Sequence, residues 1–194
     1  MKNKIYIYPT DTVWGIGGNI HVNGMLQQIN KIKGQTEDKP LSILFTDLDM
    51  LSEHFDLDLM DREWLVDFFK LEATLGIPVS WLKRSIPTEV YGNSEFICVR
   101  VLGTPEIHSL LKLAEGPVFT TSFNRKGEPP ILTLSEAEKL AKNICADAIL
   151  IKGSIVLNGD SSTIFSINGN LKFSLLRSGT MVEEIEKHIK LLST

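Results

Sequence analysis

A chain of 194 residues that is 43% hydrophobic can bury one sizeable core and suits a single domain over residues 1–194. Its net charge of −4 comes without an acidic or basic block, which argues against a charged tail or a global grip on nucleic acid, so RNA contact would need a local patch. No apolar run approaches the roughly 20 residues of a membrane span, and Met1-Lys-Asn-Lys-Ile-Tyr6 leads into a strand-like pattern rather than a signal peptide; a cytoplasmic protein is expected.

Short β-rich runs alternate with helical patterns, the mark of an α/β domain. Lys4–Tyr8 reads as the first strand and Gly15-Ile-Gly-Gly18 as a turn. Val22, Met25, Leu26, Ile29 and Ile32 then share one helical face. Leu41–Phe45 is a strand, and Leu48–Phe69 reads as helical with Trp64, Leu65, Phe68 and Phe69 as its buried end. That contiguous apolar run marks core rather than a base-stacking platform.

Strands follow at Ile77–Leu82 and Phe96–Leu102, then a helix opened by Pro105 whose Leu110, Leu111 and Ala114 make an apolar face. After a strand at Val118–Thr121 and a turn at Arg125-Lys-Gly-Glu-Pro-Pro130, Ser135-Glu-Ala-Glu138 has the form of a capping box for a helix through Ile144. The last strands are Ala148–Ile151, Ser162–Ile167 and Leu171–Leu176, with turn residues at Lys152-Gly-Ser154 and Asn158-Gly-Asp160; a helix from Val182 to Leu192 closes the pattern. Cys98 and Cys145 sit in apolar runs without a partner at metal-ligand spacing, as buried, reduced core residues would.

Familiar catalytic devices are missing. His21, His54, His108 and His188 are scattered, and the chain has no Gly-x-Ser-x-Gly elbow, Walker loop or dinucleotide fingerprint. This argues against a hydrolase, a metalloenzyme or a P-loop ATPase. Five motifs near strand ends remain: Tyr8-Pro-Thr-Asp-Thr-Val-Trp-Gly15, Lys31-Ile-Lys33-Gly-Gln-Thr-Glu-Asp-Lys39-Pro-Leu41, Phe119-Thr-Thr-Ser-Phe-Asn-Arg-Lys-Gly127, Asp160-Ser-Ser-Thr-Ile-Phe-Ser166 and Leu176-Arg-Ser-Gly179. They offer hydroxyls and isolated cations. Of five arginines, Arg100, Arg125 and Arg177 fall at strand ends or in these loops, and arginine suits bidentate recognition of carboxylate or phosphate. An anionic ligand follows.

Each motif alone is compatible with structure only; together, in this order, they resemble the YrdC-like (Sua5/YciO/YrdC) family. Its members carry Pro-Thr-(Asp/Glu)-Thr-Val-Tyr-Gly, Lys-x-Arg…(Lys/Asn)-Pro-Leu, Arg-Val-Pro, Ser-Ala-Asn-x-Ser-Gly, Ser-Thr-Val and Arg-x-Gly. The likeness runs from Ile5 to about Thr180 and implies an open, twisted mixed sheet with flanking helices around a large concave cavity. Some members carry a further C-terminal domain, whereas this chain resembles the single-domain form. The implied activity is synthesis of threonylcarbamoyl-AMP and pyrophosphate from L-threonine, bicarbonate and ATP with Mg²⁺, feeding a tRNA threonylcarbamoyl transferase complex.

Carried over by position, Thr10, Arg100, Thr120 and Ser162 would hold L-threonine, with Arg100 on its carboxylate. Lys33, Lys39, Ser122, Asn124 and Arg177 would hold ATP and its phosphates, and Mg²⁺ would be held mainly by ATP. The chain departs from the motifs at Trp14, Gln35, Leu102, Phe123, Lys126 and Pro130. Gln35 removes an arginine fork, Phe123 is bulky for a nucleotide-contacting loop, and Lys126 adds a cation. A non-catalytic RNA-binding paralogue of the same fold is therefore the alternative expectation. A third is the related carbamoyl-adenylate step of hydrogenase-maturation carbamoyltransferases, much larger proteins.

Overall fold

The computed structural model describes residues 2–35, 40–153 and 157–193; parts of the Lys31–Leu41 and Lys152–Asp160 motifs, Lys39 and Ser154 among them, lie outside the described residues. The first two strands, β1 (Tyr6–Pro9) and β2 (Trp14–Gly17), pair antiparallel with large residues facing small ones: Tyr6 lies opposite Gly17 and Tyr8 opposite Gly15. The others are β3 (Ser42–Phe45), β4 (Thr74–Pro78), β5 (Phe96–Val101), β6 (Val118–Ser122), β7 (Ile149–Leu150), β8 (Ile164–Ile167) and β9 (Phe173–Arg177). They form one mixed sheet in the order β7-β1-β2-β6-β3-β5-β4-β8-β9.

The helices are α1 (Met25–Ile32), α2 (Leu48–Ser52), α3 (Arg62–Lys70), α4 (Pro105–Ala114), α5 (Leu134–Ile144) and α6 (Val182–Lys190). Side chains alternate between sheet faces with a period of two, and the two faces are covered unequally. Ile7, Ile16, Ile43, Phe45, Ile77, Val99, Phe119 and Phe165 pack on one side with residues of α1, α2, α3, α5 and α6. Tyr6, Tyr8, Leu44 and Val118 point to the other side, where α4 supplies Ile107, Leu110, Leu111 and Ala114. One helix covers only part of that face.

Several element boundaries differ from the sequence reading. Gly15-Ile-Gly-Gly18 is mostly strand β2 rather than turn: Gly15 admits the Tyr8 ring of β1, from which a Cβ there would lie 2.9 Å. The strand expected at Ile77–Leu82 begins earlier and ends at Pro78, after which Val79–Trp81 form a 3₁₀ turn. The helix expected over Leu48–Phe69 is two helices, because Asp47 and Asp61 each cap a new start, accepting from Met50 N and Trp64 N. The capping box is Thr133…Glu136 rather than Ser135…Glu138: Glu136 N donates to Thr133 Oγ1 at 3.2 Å and Thr133 N to Glu136 Oε2 at 3.1 Å.

Trp64 is core, as the aromatic run implied. Its ring stacks on Phe68 and on His188 of α6, with centroids 5.1 and 4.7 Å apart. Trp64 Nε1 donates to the His188 carbonyl (3.1 Å), and His188 Nε2 donates to the Trp64 carbonyl (2.9 Å). Among the described residues, no helix is long and apolar enough to cross a membrane.

A Cβ at Gly17 would overlap the Phe119 carbonyl oxygen on β6. Backbone on a packed sheet cannot yield as a side-chain tip can. Gly17→Ala is expected to cost about 2 kcal/mol or more, read as a lowered midpoint in urea unfolding; an unchanged midpoint would show that the strands can separate freely there.

Candidate active site

The part of the sheet that α4 leaves uncovered is a cavity of about 600 Å³. Strand alternation builds its floor: two residues beyond Tyr8 is Thr10, beyond Val118 are Thr120 and Ser122, and two before Leu44 is Ser42. On β5 the residues between Ile97, Val99 and Val101 are Cys98 and Arg100, which line the cavity. A single side of the sheet thus changes from apolar under α4 to polar where no helix sits.

Arg100, on β5, is 7% exposed and already engaged. It forms an ion pair with Asp11, and its Nη1 donates to Thr12 Oγ1 at 2.9 Å. Thr10 Oγ1 donates to the Val13 carbonyl at 2.7 Å, so the 3.0 Å contact between the two threonine hydroxyls is donated by Thr12. The chain Arg100, Thr12, Thr10, Val13 ties the loop between β1 and β2 to β5 and uses two of the five guanidinium N–H donors. Asp11 is absent from the cavity wall and holds Arg100 from behind. Burial pushes its carboxyl above the usual range, the Arg100 charge opposes this, and Glu72 adds to it.

Lys33 caps the C-terminus of α1 and is 5% exposed. Its three ammonium protons meet three oxygens across the cavity: the Ser122 carbonyl, the Asn124 carbonyl (3.1 Å) and Asn124 Oδ1 (3.1 Å). Ser122 Oγ also donates to Asn124 Oδ1 at 2.7 Å, and Asn124 Nδ2 donates to the Glu128 carbonyl at 2.6 Å. The acceptors are neutral, so burial lowers the ammonium to about 8. On the opposite wall Arg177 donates to the Ser162 carbonyl through Nε (3.2 Å) and Nη2 (2.7 Å), and Ser162 Oγ shares a proton with Thr74 Oγ1 at 2.8 Å. The Thr120 side chain shares a hydrogen bond with the buried Tyr8 phenol, whose pKa burial raises.

The structure therefore brings Thr10, Lys33, Arg100, Thr120, Ser122, Asn124, Ser162 and Arg177 around one cavity; Lys39 lies outside the described residues. Among the described residues, four cations, Lys33, Arg100, Lys126 and Arg177, line it, and no aspartate or glutamate does. In a chain of net charge −4 that concentration of positive charge defines an anion receptor. Among the described residues the wall carries no carboxylate and no group of metal-binding side chains occurs.

Sequence reasoning missed Thr74 and Cys98 on the cavity wall, and it placed Thr12 and Asp11 in the first motif without assigning either a role. Cys98 was legible as the residue two before Arg100. It is half-buried and faces the cavity rather than the core, with burial raising its thiol to about 11. Cys145 is also free and half-buried. Thr74 was lost with the start of β4. Among the motif departures, Phe123 is fully buried in the main core and absent from the cavity wall, so its bulk does not obstruct a ligand. Trp14 is also core, while Gln35 and Lys126 line the cavity.

Removing Arg100 would leave the Asp11 carboxylate largely buried without its partner. Arg100→Ala is expected to destabilise the fold by about 3 kcal/mol, and Asp11→Ala in the same chain to recover part of that; full additivity in denaturant unfolding would contradict the pairing. Lys33 makes a pH prediction. Its folded pKa lies below the free value of 10.5, so its charge is lost from the folded protein as pH rises through about 8. Affinity for a phosphate anion should fall over that interval, and Lys33→Arg should flatten the profile. An identical profile in both proteins would remove Lys33 as the cause.

The chain matches the Sua5/YciO/YrdC family model, described as telomere recombination, over residues 1–179. It is 28% identical over 158 residues to the threonylcarbamoyl-AMP synthase of Pseudoalteromonas atlantica, covering 80% of this chain and 81% of that one. Over 138 residues it is 26% identical to the synthase of Haemophilus influenzae, covering 70% and 74%. P. abyssi Sua5 complexed with L-threonine superposes with a TM-score of 0.77 at 26% identity, over 96% of this chain and 54% of that one, so the chain spans about half the length of that protein. E. coli YciO shares the fold, with a TM-score of 0.74 at 18% identity over 91% and 83%. The nine-stranded mixed sheet, the cation-lined cavity on its half-covered face and these likenesses agree: the chain belongs to the Sua5/YciO/YrdC family.

Proposed function

We propose that this chain is a threonylcarbamoyl-AMP synthase, forming threonylcarbamoyl-AMP and pyrophosphate from L-threonine, bicarbonate and ATP. The observation that carries the reading is the cavity itself: among the described residues, four cations and a set of hydroxyls line it, with no acidic side chain on the wall. The names of the curated relatives and the L-threonine complex of P. abyssi Sua5 support it. The buried position of Phe123 removes one reason for preferring a non-catalytic RNA-binding paralogue.

In this reading Thr10, Arg100, Thr120 and Ser162 hold L-threonine, with Arg100 toward its carboxylate. Lys33, Lys39, Ser122, Asn124 and Arg177 hold ATP, which enters with Mg²⁺ on its phosphates. The threonine amine captures bicarbonate with loss of water. A carbamate oxygen then attacks the α-phosphorus, the bond to the β-phosphate oxygen breaks, and pyrophosphate leaves with the electron pair. Such chemistry needs positioned reactants and charge stabilisation more than a nucleophile or a histidine base. Asp11 and Thr12 keep the Arg100 fork oriented; the Lys33 ammonium orders the Ser122–Asn124 turn. The product is a reactive mixed anhydride, so a downstream transferase acting on tRNA would have to consume it.

Pyrophosphate release with Mg·ATP, L-threonine and bicarbonate tests the proposal. Release should require both co-substrates, with serine or valine substituting poorly; no release from the folded protein under any combination would end the synthase reading. Arg100→Ala, assayed where it remains folded, should weaken L-threonine binding by about 2 kcal/mol. Unchanged threonine affinity would remove Arg100 from the substrate site.

A further inference from the structure

Three of the four cations on the cavity wall are committed to protein acceptors: Arg100 to Asp11 and Thr12, Arg177 to Ser162, and Lys33 to Ser122 and Asn124. The fourth, Lys126, differs. Its ammonium makes no hydrogen bond or ion pair among the described residues, yet its main chain is fixed on three sides. Lys126 N donates to the Lys33 carbonyl at the end of α1 (3.0 Å). Glu128 N closes a turn onto the Arg125 carbonyl (3.0 Å) around Gly127, whose φ of 82° is left-handed. Asn124 Nδ2 ties the far side of the turn through the Glu128 carbonyl. A rigid turn thus presents a free cation.

Lys126 also belongs to a second space. A groove of about 800 Å³ adjoins the cavity, shares Lys33 and Lys126 with it, and carries Lys31 and Arg125 beside the acids Glu128 and Asp147. Lys126 therefore stands where the cavity meets an outer surface on which cations outnumber acids.

Resting on the synthase reading, we propose that Lys126 binds the β- and γ-phosphates of ATP and stays with them as pyrophosphate, handing it to the groove lined by Lys31 and Arg125. When the bond between the α-phosphorus and the β-phosphate oxygen breaks, the electron pair and the negative charge go to the pyrophosphate. An ammonium on a flexible stem can follow that anion as it moves, which the three tethered cations cannot do without breaking their own bonds. The α-phosphate stays in the product and is left to the inner residues.

The test compares inorganic pyrophosphate and AMP binding, by titration calorimetry, in the unmodified chain, Lys126→Gln and Lys126→Arg. Lys126→Gln is expected to lose about tenfold or more in pyrophosphate affinity while AMP affinity stays within about twofold, and Lys126→Arg to keep most of the pyrophosphate affinity. Pyrophosphate affinity unchanged in Lys126→Gln, or pyrophosphate and AMP affinity lost together, would overturn the role of Lys126 and leave the synthase reading standing. An unmodified chain that binds neither anion would overturn both.

Discussion

The arrangement depends on one constraint: among the described residues, the sheet has five α-helices on one face and a single one on the other. On the covered face β-branched and aromatic side chains meet helices and pack dry. On the opposite face α4 packs with the buried Tyr6, Tyr8, Leu44 and Val118. Each of those strands continues past the end of α4, and the same alternation that seats a tyrosine or leucine beneath the helix sets a threonine or serine in the open. The site is the polar remainder of an incompletely covered sheet, and its floor is as rigid as the core behind it.

Charge is handled in the same economical manner. Four cations around one cavity would repel each other, and each is managed by a different device: a buried carboxylate behind Arg100, a serine carbonyl for Arg177, three neutral oxygens for Lys33 and solvent for the exposed Lys126. Only the first cancels a full charge. The others leave the wall positive: the Lys33 ammonium meets neutral oxygens, and burial lowers it only to about 8. Such a wall is costly when empty and favourable when an anion arrives.

Much of this was legible in the sequence because alternation and motif order are local properties. The hydroxyls and cations of the five motifs could be read one by one, and their convergence followed from the family likeness. The losses also have local causes. β2 was hidden because a strand of Trp-Gly-Ile-Gly looks like a turn until its neighbour is known to lay the Tyr8 side chain over Gly15 and Gly17. Asp11 sits inside a motif that was read correctly, yet nothing in its spacing shows that its carboxylate reaches a residue 89 positions away. Phe123 was misjudged in the other direction: its place in a ligand loop suggested an obstruction, while its backbone turns the ring into the core.

The strand order has a consequence for how the chain acquires its shape. β6 lies between β2 and β3, so the two N-terminal pieces of sheet have no edge in common until residues 118–122 are available to join them. The aromatic stack under α3 likewise waits for His188, 124 positions further along. Partners this distant in sequence incur the full entropy of loop closure before any contact rewards it. A growing chain would carry unpaired strand edges until residues 118–122 have emerged and an uncovered tryptophan until α6 has, a long exposure during which the intermediate is open to aggregation.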